Sequence, residues 1–181
     1  MSIHEFAQRF RFDPIAASQQ SAHLPAAVAA ALPADEVLVF ACDDAHSDTA
    51  AFSARYGFGL EDCANTLLLK YTAGQGDQYA AVVTLGSRRL DVNGAVKETL
   101  GARRLSFAKR EVATELTGMQ FGGITAFGLP AGMRILVDAA VMDRPYVVVG
   151  AGYRETKILV APAELAKLPL AEVASLTLAV Q

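Results

Sequence analysis

Two apolar runs, residues 64–71 and 79–85, flank Gly74-Gln75-Gly76-Asp77, and this pattern restricts the possible folds more than any other in the chain. Runs of that length, rich in Leu, Val and Tyr and joined by a glycine turn, predict an antiparallel pair of strands. Further strand-like runs near residues 36–41, 134–137, 146–149 and 157–160 are separated by helical patterns. Pro25 opens a short helix and Pro33 ends it. Asp48 is placed to cap a helix carrying Ala51, Phe52 and Tyr56 and closed by Gly57. Asp91 precedes a helix with Val92, Val96 and Leu100 on one face and Gly101 at its end. Ala108, Val112, Ala113 and Leu116 line another, ended by Gly118, and Pro162 opens a last one with Leu165 and Leu168. Hairpin pairing combined with strand–helix alternation predicts an α+β fold with a mixed sheet, and argues against a purely parallel doubly wound one.

A chain of 181 residues suffices for one well-cored domain. We expect it over residues 23–181, after an N-terminal extension of residues 1–22 in which residues 13–21 are the loosest connection. With 52% hydrophobic and 19% charged residues, the chain should be compact and not disordered. No apolar run approaches the ~18 residues of a membrane-spanning helix, and the first residues lack the basic-then-apolar order of a signal peptide. A cytoplasmic protein without membrane contact is expected. Cys42 and Cys63 have neither metal nor redox spacing and lie in apolar segments, as buried free thiols do. His4, His23 and His46 are scattered, so neither a metal nor another cofactor is expected.

The loop Gly122-Gly123-Ile124-Thr125-Ala126-Phe127-Gly128 lies between the helix ending at Gly118 and the strand near Arg134. Main chain at glycine can approach a ligand closely, and the N–H groups of such a loop suit a carbonyl, a carboxylate or a developing oxyanion. The alternative is a plain helix-to-strand connector. Residues 147–155, VVVGAGYRE, present Gly150 and Gly152 as the first two glycines of a dinucleotide fingerprint. The third position holds Glu155, however, and strand-like Lys157-Ile158-Leu159-Val160 follows where a helix is needed. A hairpin with a tight glycine turn fits better. Neither a G-x-S-x-G elbow nor a P-loop nor a His-based triad is present. Hydrolysis by this chain would rely on backbone donors, a positioned water and a group of the substrate, which suits an already labile bond such as an aminoacyl ester.

The net charge of −3 is unevenly distributed. Residues 1–62 hold three basic and nine acidic side chains, whereas residues 88–110 hold seven basic and two acidic. Arg88, Arg89, Arg103, Arg104 and Lys109 in this band suit contact with a nucleic-acid backbone on one surface. Solvated helix ends are the alternative.

Asn65-Thr66-Leu67-Leu68, Leu90-Asp91 through Leu100-Gly101-Ala102, Glu115-Leu116-Thr117-Gly118, the 122–128 loop, residues 147–151 and residues 159–168 occur in an order that resembles the YbaK/EbsC family. That family includes the editing domain inserted in bacterial prolyl-tRNA synthetases. The resemblance implies a mixed, partly open barrel-like β-sheet flanked by helices, and hydrolysis of wrongly charged aminoacyl-tRNA. It implies that Asn65 is the catalytic position, orienting the terminal ribose or a water. Substrate binding would fall to Gly122, Gly123, Ile124, Thr125, Ala126, Phe127 and Gly128, with Gly150, Ala151, Gly152, Phe52 and Tyr56. Arg88, Arg89, Arg103, Arg104 and Lys109 would touch tRNA. The chain departs from the family pattern in four places. A lysine important for activity is replaced by Asn65, a loop proline by Ala126, a serine of some members by Gly150 and their aspartate by Lys157. Lys70 lies five residues beyond Asn65 and faces the other side of its strand. Two further readings stand beside a deacylase acting in trans: a non-catalytic binding module for charged tRNA ends or amino acid derivatives, and a hydrolase of another acylated small molecule.

Overall fold

The computed structural model describes residues 1–179. In chain order its principal elements are α1 (Ile3–Gln8), β1 (Asp13–Pro14), α2 (Ala26–Ala31), β2 (Val37–Ala41), α3 (Thr49–Tyr56), β3 (Ala64–Thr72), β4 (Asp77–Leu85), α4 (Lys97–Leu100), β5 (Arg104–Phe107) and α5 (Arg110–Thr117). They continue with β6 (Arg134–Asp138), α6 (Ala139–Met142), β7 (Val147–Gly150), β8 (Thr156–Val160), α7 (Pro162–Ala166) and β9 (Ala171–Ala174). The strands form two sheets, ordered β1-β2-β8-β7 and β5-β3-β4-β6-β9. The first is antiparallel throughout. The second joins an antiparallel half, β5-β3-β4, to a parallel half, β4-β6-β9. The α+β class and the mixed sheet are therefore as expected, and the two sheets do not close into a barrel.

The hairpin read from residues 64–85 runs in continuous register from Ala64↔Leu85 to Thr72↔Asp77. Its turn is possible because Gly74 and Gly76 take φ of 66° and 92°, left-handed conformations that side chains disfavour. The 147–160 region is likewise an antiparallel hairpin, with Gly150 opposite Lys157. Helices α3, α4 and α5 end at Gly57, Gly101 and Gly118 in the left-handed cap conformation. Asp48 occupies the cap position of α3, but its carboxylate is held by Arg154 and caps nothing. Asp91 accepts N–H bonds from Gly94 and Ala95 and opens a π-helical turn, Val92–Val96, which tightens into α4.

Alternation along the strands distributes side chains among three cores. Val39, Ile158, Val147 and Val149 of the first sheet meet Leu68, Ala81, Val83 and Ile135 of the second in a central core. The outer face of the second sheet packs Leu69, Tyr71 and Val82 against Val96 and Leu100. The outer face of the first sheet carries an aromatic cluster in which Phe12 stacks on Phe40 with centroids 4.1 Å apart. Phe6 of α1 joins that cluster. The stretch 13–21, read as loosely connected, instead contributes β1 at the edge of β2 and a 3₁₀ turn over Ala17–Ala22. Its polar sequence carries no strand pattern, and the pairing exists only because the β2 edge is there to be paired. Among the described residues no helix is long and apolar enough to cross a membrane.

Phe58 is fully buried and its ring meets those of Phe6, Phe10, Phe12 and Phe52. Phe58→Ala should lower the unfolding free energy by about 3–5 kcal/mol. Urea denaturation checks this, with the midpoint falling and the slope unchanged.

Candidate functional site

A cavity of about 210 Å³ opens where four parts of the chain converge. The start of α3 supplies Ser47 and Thr49, β3 supplies Asn65 and Thr66, the glycine loop supplies Gly122 and Ile124, and the β7–β8 hairpin supplies Gly150 and Lys157. The loop lies main chain to main chain on the hairpin: Gly152 N–H donates to the Gly123 carbonyl at 2.6 Å. A side chain at Gly150 would run into the Gly123 and Ile124 carbonyls, and a Cβ at Gly123 would lie 2.9 Å from the Tyr153 main chain. Among the described residues the Gly122 and Ile124 N–H groups have no acceptor, so both are free to donate.

Lys157 is the unusual member. All five residues of β8 are buried. Lys157 is cross-strand partner to Phe40 on one side and Gly150 on the other, and strand alternation turns it to the aromatic-cluster face that Phe40 and Leu159 share. It is only 6% exposed. Its Nζ donates to Ser47 Oγ at 3.1 Å, and among the described residues it forms no ion pair. Burial without an acid lowers its pKa, an effect reinforced by Arg154 and opposed by Cys42, Cys63 and Asp48. Asn65 Oδ1 accepts from Thr49 Oγ1 at 2.7 Å, which leaves its amide N–H groups without an acceptor among the described residues. Burial raises the Cys42 thiol and pushes Cys63 up to about 12, so both stay protonated near neutral pH and neither is a ready nucleophile.

Arg154, on the β7–β8 turn, draws the cavity walls together. Its Nε donates to Asp44 Oδ1 at 2.6 Å, its Nη1 to Asp48 Oδ1 at 3.3 Å, and its N–H to Gln120 Oε1 at 2.8 Å. Both acids are largely exposed, so these pairs contribute little stability and act by setting position.

The remaining residues singled out from sequence are dispersed. Phe52 lines a small adjoining pocket of about 30 Å³ with Cys63 and Val148, which shares Ser47, Asn65 and Lys157 with the cavity. Tyr56 lies in the aromatic cluster, in contact with Phe12 and Phe52. Thr125 and Phe127 are wholly buried, and Ala126 and Phe127 belong to the central core. Gly128 is pressed against the Ala27 main chain, and Gly152 against Pro25. Ala151 is buried. Lys70 is paired with Asp77 at 2.8 Å, at the far end of the β3–β4 hairpin.

Arg88 and Arg89 line a second groove, about 620 Å³, that shares Asn65 and Leu67 with the cavity. Arg103 donates to the Gly74 carbonyl and Arg104 is registered opposite Thr72, seven residues along β3 from Asn65 or about 24 Å at strand rise. Lys109 stands at the start of α5. Ser47, Thr49 and Arg154 gave no signal in the sequence. Lys157 did give one: an ionisable residue within an otherwise apolar strand is seldom buried without a reason.

Two sheets about a common core, with a glycine loop laid on a hairpin beside a small cavity, make this an α+β domain with a candidate cleft at a loop–hairpin contact. The chain belongs to the aminoacyl-tRNA editing domain family, whose model matches residues 43–168. It is 28% identical over 117 residues to the uncharacterized protein YwhH of Bacillus subtilis (strain 168), covering 65% of this chain and 71% of that protein. The crystal structure of hypothetical protein APE2540 superimposes with a TM-score of 0.69 at 27% identity, over 77% of this chain and 89% of the other. A candidate trans-editing enzyme for prolyl tRNA synthetase gives a TM-score of 0.69 at 22% identity, over 79% and 87% of the two chains. At that identity the likeness concerns the fold.

Because the Lys157 pKa is lower folded than unfolded, the unfolded chain binds more protons between the two values. Stability therefore rises with pH across that interval, and the full cost of burying the ammonium is felt below it. Lys157→Met should raise the melting temperature near neutral pH, by about 2–4 °C for each kcal/mol recovered. Thermal scans should show the gain shrinking as pH nears the ordinary lysine range of about 10.4.

Proposed function

We propose that this chain is an aminoacyl-tRNA deacylase acting in trans, which hydrolyses the ester joining a wrong amino acid to the terminal ribose of tRNA. The observation that carries this reading is the junction at Asn65 and Leu67. There a small cavity lined by Asn65, Gly122 and Ile124 meets a groove lined by two arginines. The cavity, at about 210 Å³, is smaller than the roughly 300–1,000 Å³ of drug-sized sites and suits a single acyl group. The groove suits a phosphodiester strand. Membership in the editing-domain family supports the same substrate.

In this arrangement the ester carbonyl faces the Gly122 and Ile124 amides, which have no acceptor among the described residues and would receive an oxyanion. The Asn65 amide, its oxygen held by Thr49, turns its N–H groups to a ribose hydroxyl. Arg88 and Arg89 take the phosphates of the terminal nucleotides. Arg103 and Arg104, about 24 Å along β3, take phosphates farther out on the acceptor stem, with Lys109 between. A tRNA substrate fits the cytoplasmic location expected from the sequence. No cofactor enters this scheme.

A deacylation screen over a full set of aminoacyl-tRNAs tests the reading. Turnover of at least one mischarged species is expected. Salt-dependent tRNA binding without turnover would favour the binding-module reading, and absence of both would leave a hydrolase of small acyl compounds. Asn65→Ala should slow deacylation about fivefold, the worth of one neutral hydrogen bond near 1 kcal/mol. Reversing Arg88 and Arg89 to Glu should weaken tRNA binding and flatten its dependence on log salt, by about one unit for each phosphate no longer neutralised. Melting temperature should hardly change, as for other exposed charges.

A further inference from the structure

We propose that Ser47 and Lys157 form a nucleophile–base pair, in which Ser47 Oγ attacks the acyl carbon of the bound ester and Lys157 Nζ carries the proton. This rests on the ester-hydrolase reading of the cavity. The two atoms are 3.1 Å apart, within the reach that a nucleophile and its base require. Both side chains line the cavity, and both are buried, Ser47 at 3% exposure and Lys157 at 6%. Among the described residues neither group has another side-chain partner: no carboxylate pairs with the amine, and the Ser47 hydroxyl meets Lys157 alone.

A lysine withdrawn from water without an acid is costly as the ammonium. Its surroundings therefore favour the free amine, the form able to accept a proton. The charged and titratable groups that face Nζ are Arg154 from the β7–β8 turn, Asp48 ahead of α3, Cys42 after β2 and Cys63 before β3. Arg154 acts in the same direction as burial, and the other three oppose it. Serine–lysine pairs act as nucleophile and base on unrelated folds.

In the first step Ser47 Oγ bonds to the ester carbonyl carbon as its proton passes to Nζ. The tetrahedral oxyanion is met by the Gly122 and Ile124 amides of the glycine loop, while the Asn65 amide holds the ribose hydroxyl. On collapse the carbon–oxygen bond to ribose breaks, and the ribose oxygen takes the proton from Nζ. The products are uncharged tRNA with a free hydroxyl and an aminoacyl ester on Ser47. In the second step water gives a proton to Nζ and its oxygen attacks that ester. The bond to Oγ breaks, Ser47 regains the proton from Nζ, and the amino acid leaves as its acid, which ionises in solvent.

The full chain, as wild type, Ser47→Ala and Lys157→Met, is incubated with the aminoacyl-tRNA set and separately with p-nitrophenyl acetate. Quenched samples are digested and the Ser47 peptide weighed by mass spectrometry. Wild type is expected to carry the acyl group on Ser47. Both variants should lose at least about a hundredfold in rate, as when a general base or its nucleophile is removed. The wild-type rate should climb with pH and level off below the ordinary lysine range. Loss of rate in Lys157→Met with full rate in Ser47→Ala would mean that the amine activates water, and would overturn the covalent step. Full rates in both variants would overturn the pair while sparing the deacylase reading. Acetylation of Ser47 by the simple ester with no aminoacyl-tRNA turned over would uphold the pair and sink the tRNA reading. A wild type neither acylated nor active overturns both. The adduct on wild type does not depend on either variant folding.

Discussion

The main chain of the glycine loop rests on the β7–β8 hairpin, and the geometry of the cavity depends on that contact. It is possible because Gly123 and Gly150 present no side chains where the two segments touch, and it is locked by the bond from Gly152 to Gly123. The hairpin turn in turn carries Arg154, which reaches across to Asp44 and Asp48 and so fixes the start of α3. From there Ser47 meets Lys157 and Thr49 meets Asn65. Exposed ion pairs are weak contributors to stability. Their role here is to register the hairpin turn against the segment ahead of α3, two stretches far apart in sequence.

The cavity brings polar side chains in among the apolar cores, Ser47, Thr49, Asn65, Thr66 and Lys157 among its lining. Lys157 is buried without an acid, and Thr66 Oγ1, also in the cavity wall, has no hydrogen-bond partner. Thr125 Oγ1, deeper in the loop, is likewise unpartnered. Unsatisfied buried groups of this kind destabilise a fold by about 1–3 kcal/mol each. The aromatic cluster behind Lys157 and the core between the sheets offset that cost, so the site can hold groups prepared for a ligand instead of for each other.

Much of the fold was legible because its signals are local. The 64–85 hairpin shows as two apolar runs about a glycine turn, and the ends of α3, α4 and α5 show as single glycines after amphipathic runs. The 147–160 hairpin could be separated from a dinucleotide fingerprint by Glu155 and the strand pattern after it. Helix α1 and strands β1, β5 and β9 were not foreseen, since each is six residues or fewer and is stabilised by its neighbours more than by its own pattern. Within the site, Asn65, Gly122, Ile124 and Gly150 were named from sequence and share one cavity. Ser47 and Thr49 were not, because a serine or threonine ahead of a helix looks the same whether it faces solvent or a cavity. The band of basic residues is continuous in sequence but divided in space, Arg88 and Arg89 near Asn65 and Arg104 at the other end of β3.

The sequence by itself determined the class of fold, the hairpins, the helix ends and the resemblance to an editing family, because periodicity, glycine placement and segment order are properties of neighbouring residues. Which amine enters the cleft was decided only by the tertiary structure. Asn65 stands where the resemblance places a lysine, and Lys70 is turned to the opposite face by strand alternation. The cavity's amine comes instead from β8, more than ninety positions away in the chain. It enters because β8 is paired with β2, which turns Lys157 to the face where Ser47, ahead of α3, meets its amine. Pairing between strands as distant in sequence as β2 and β8 is a property of the folded chain alone, and here that pairing brings the amine to Ser47 and Asn65.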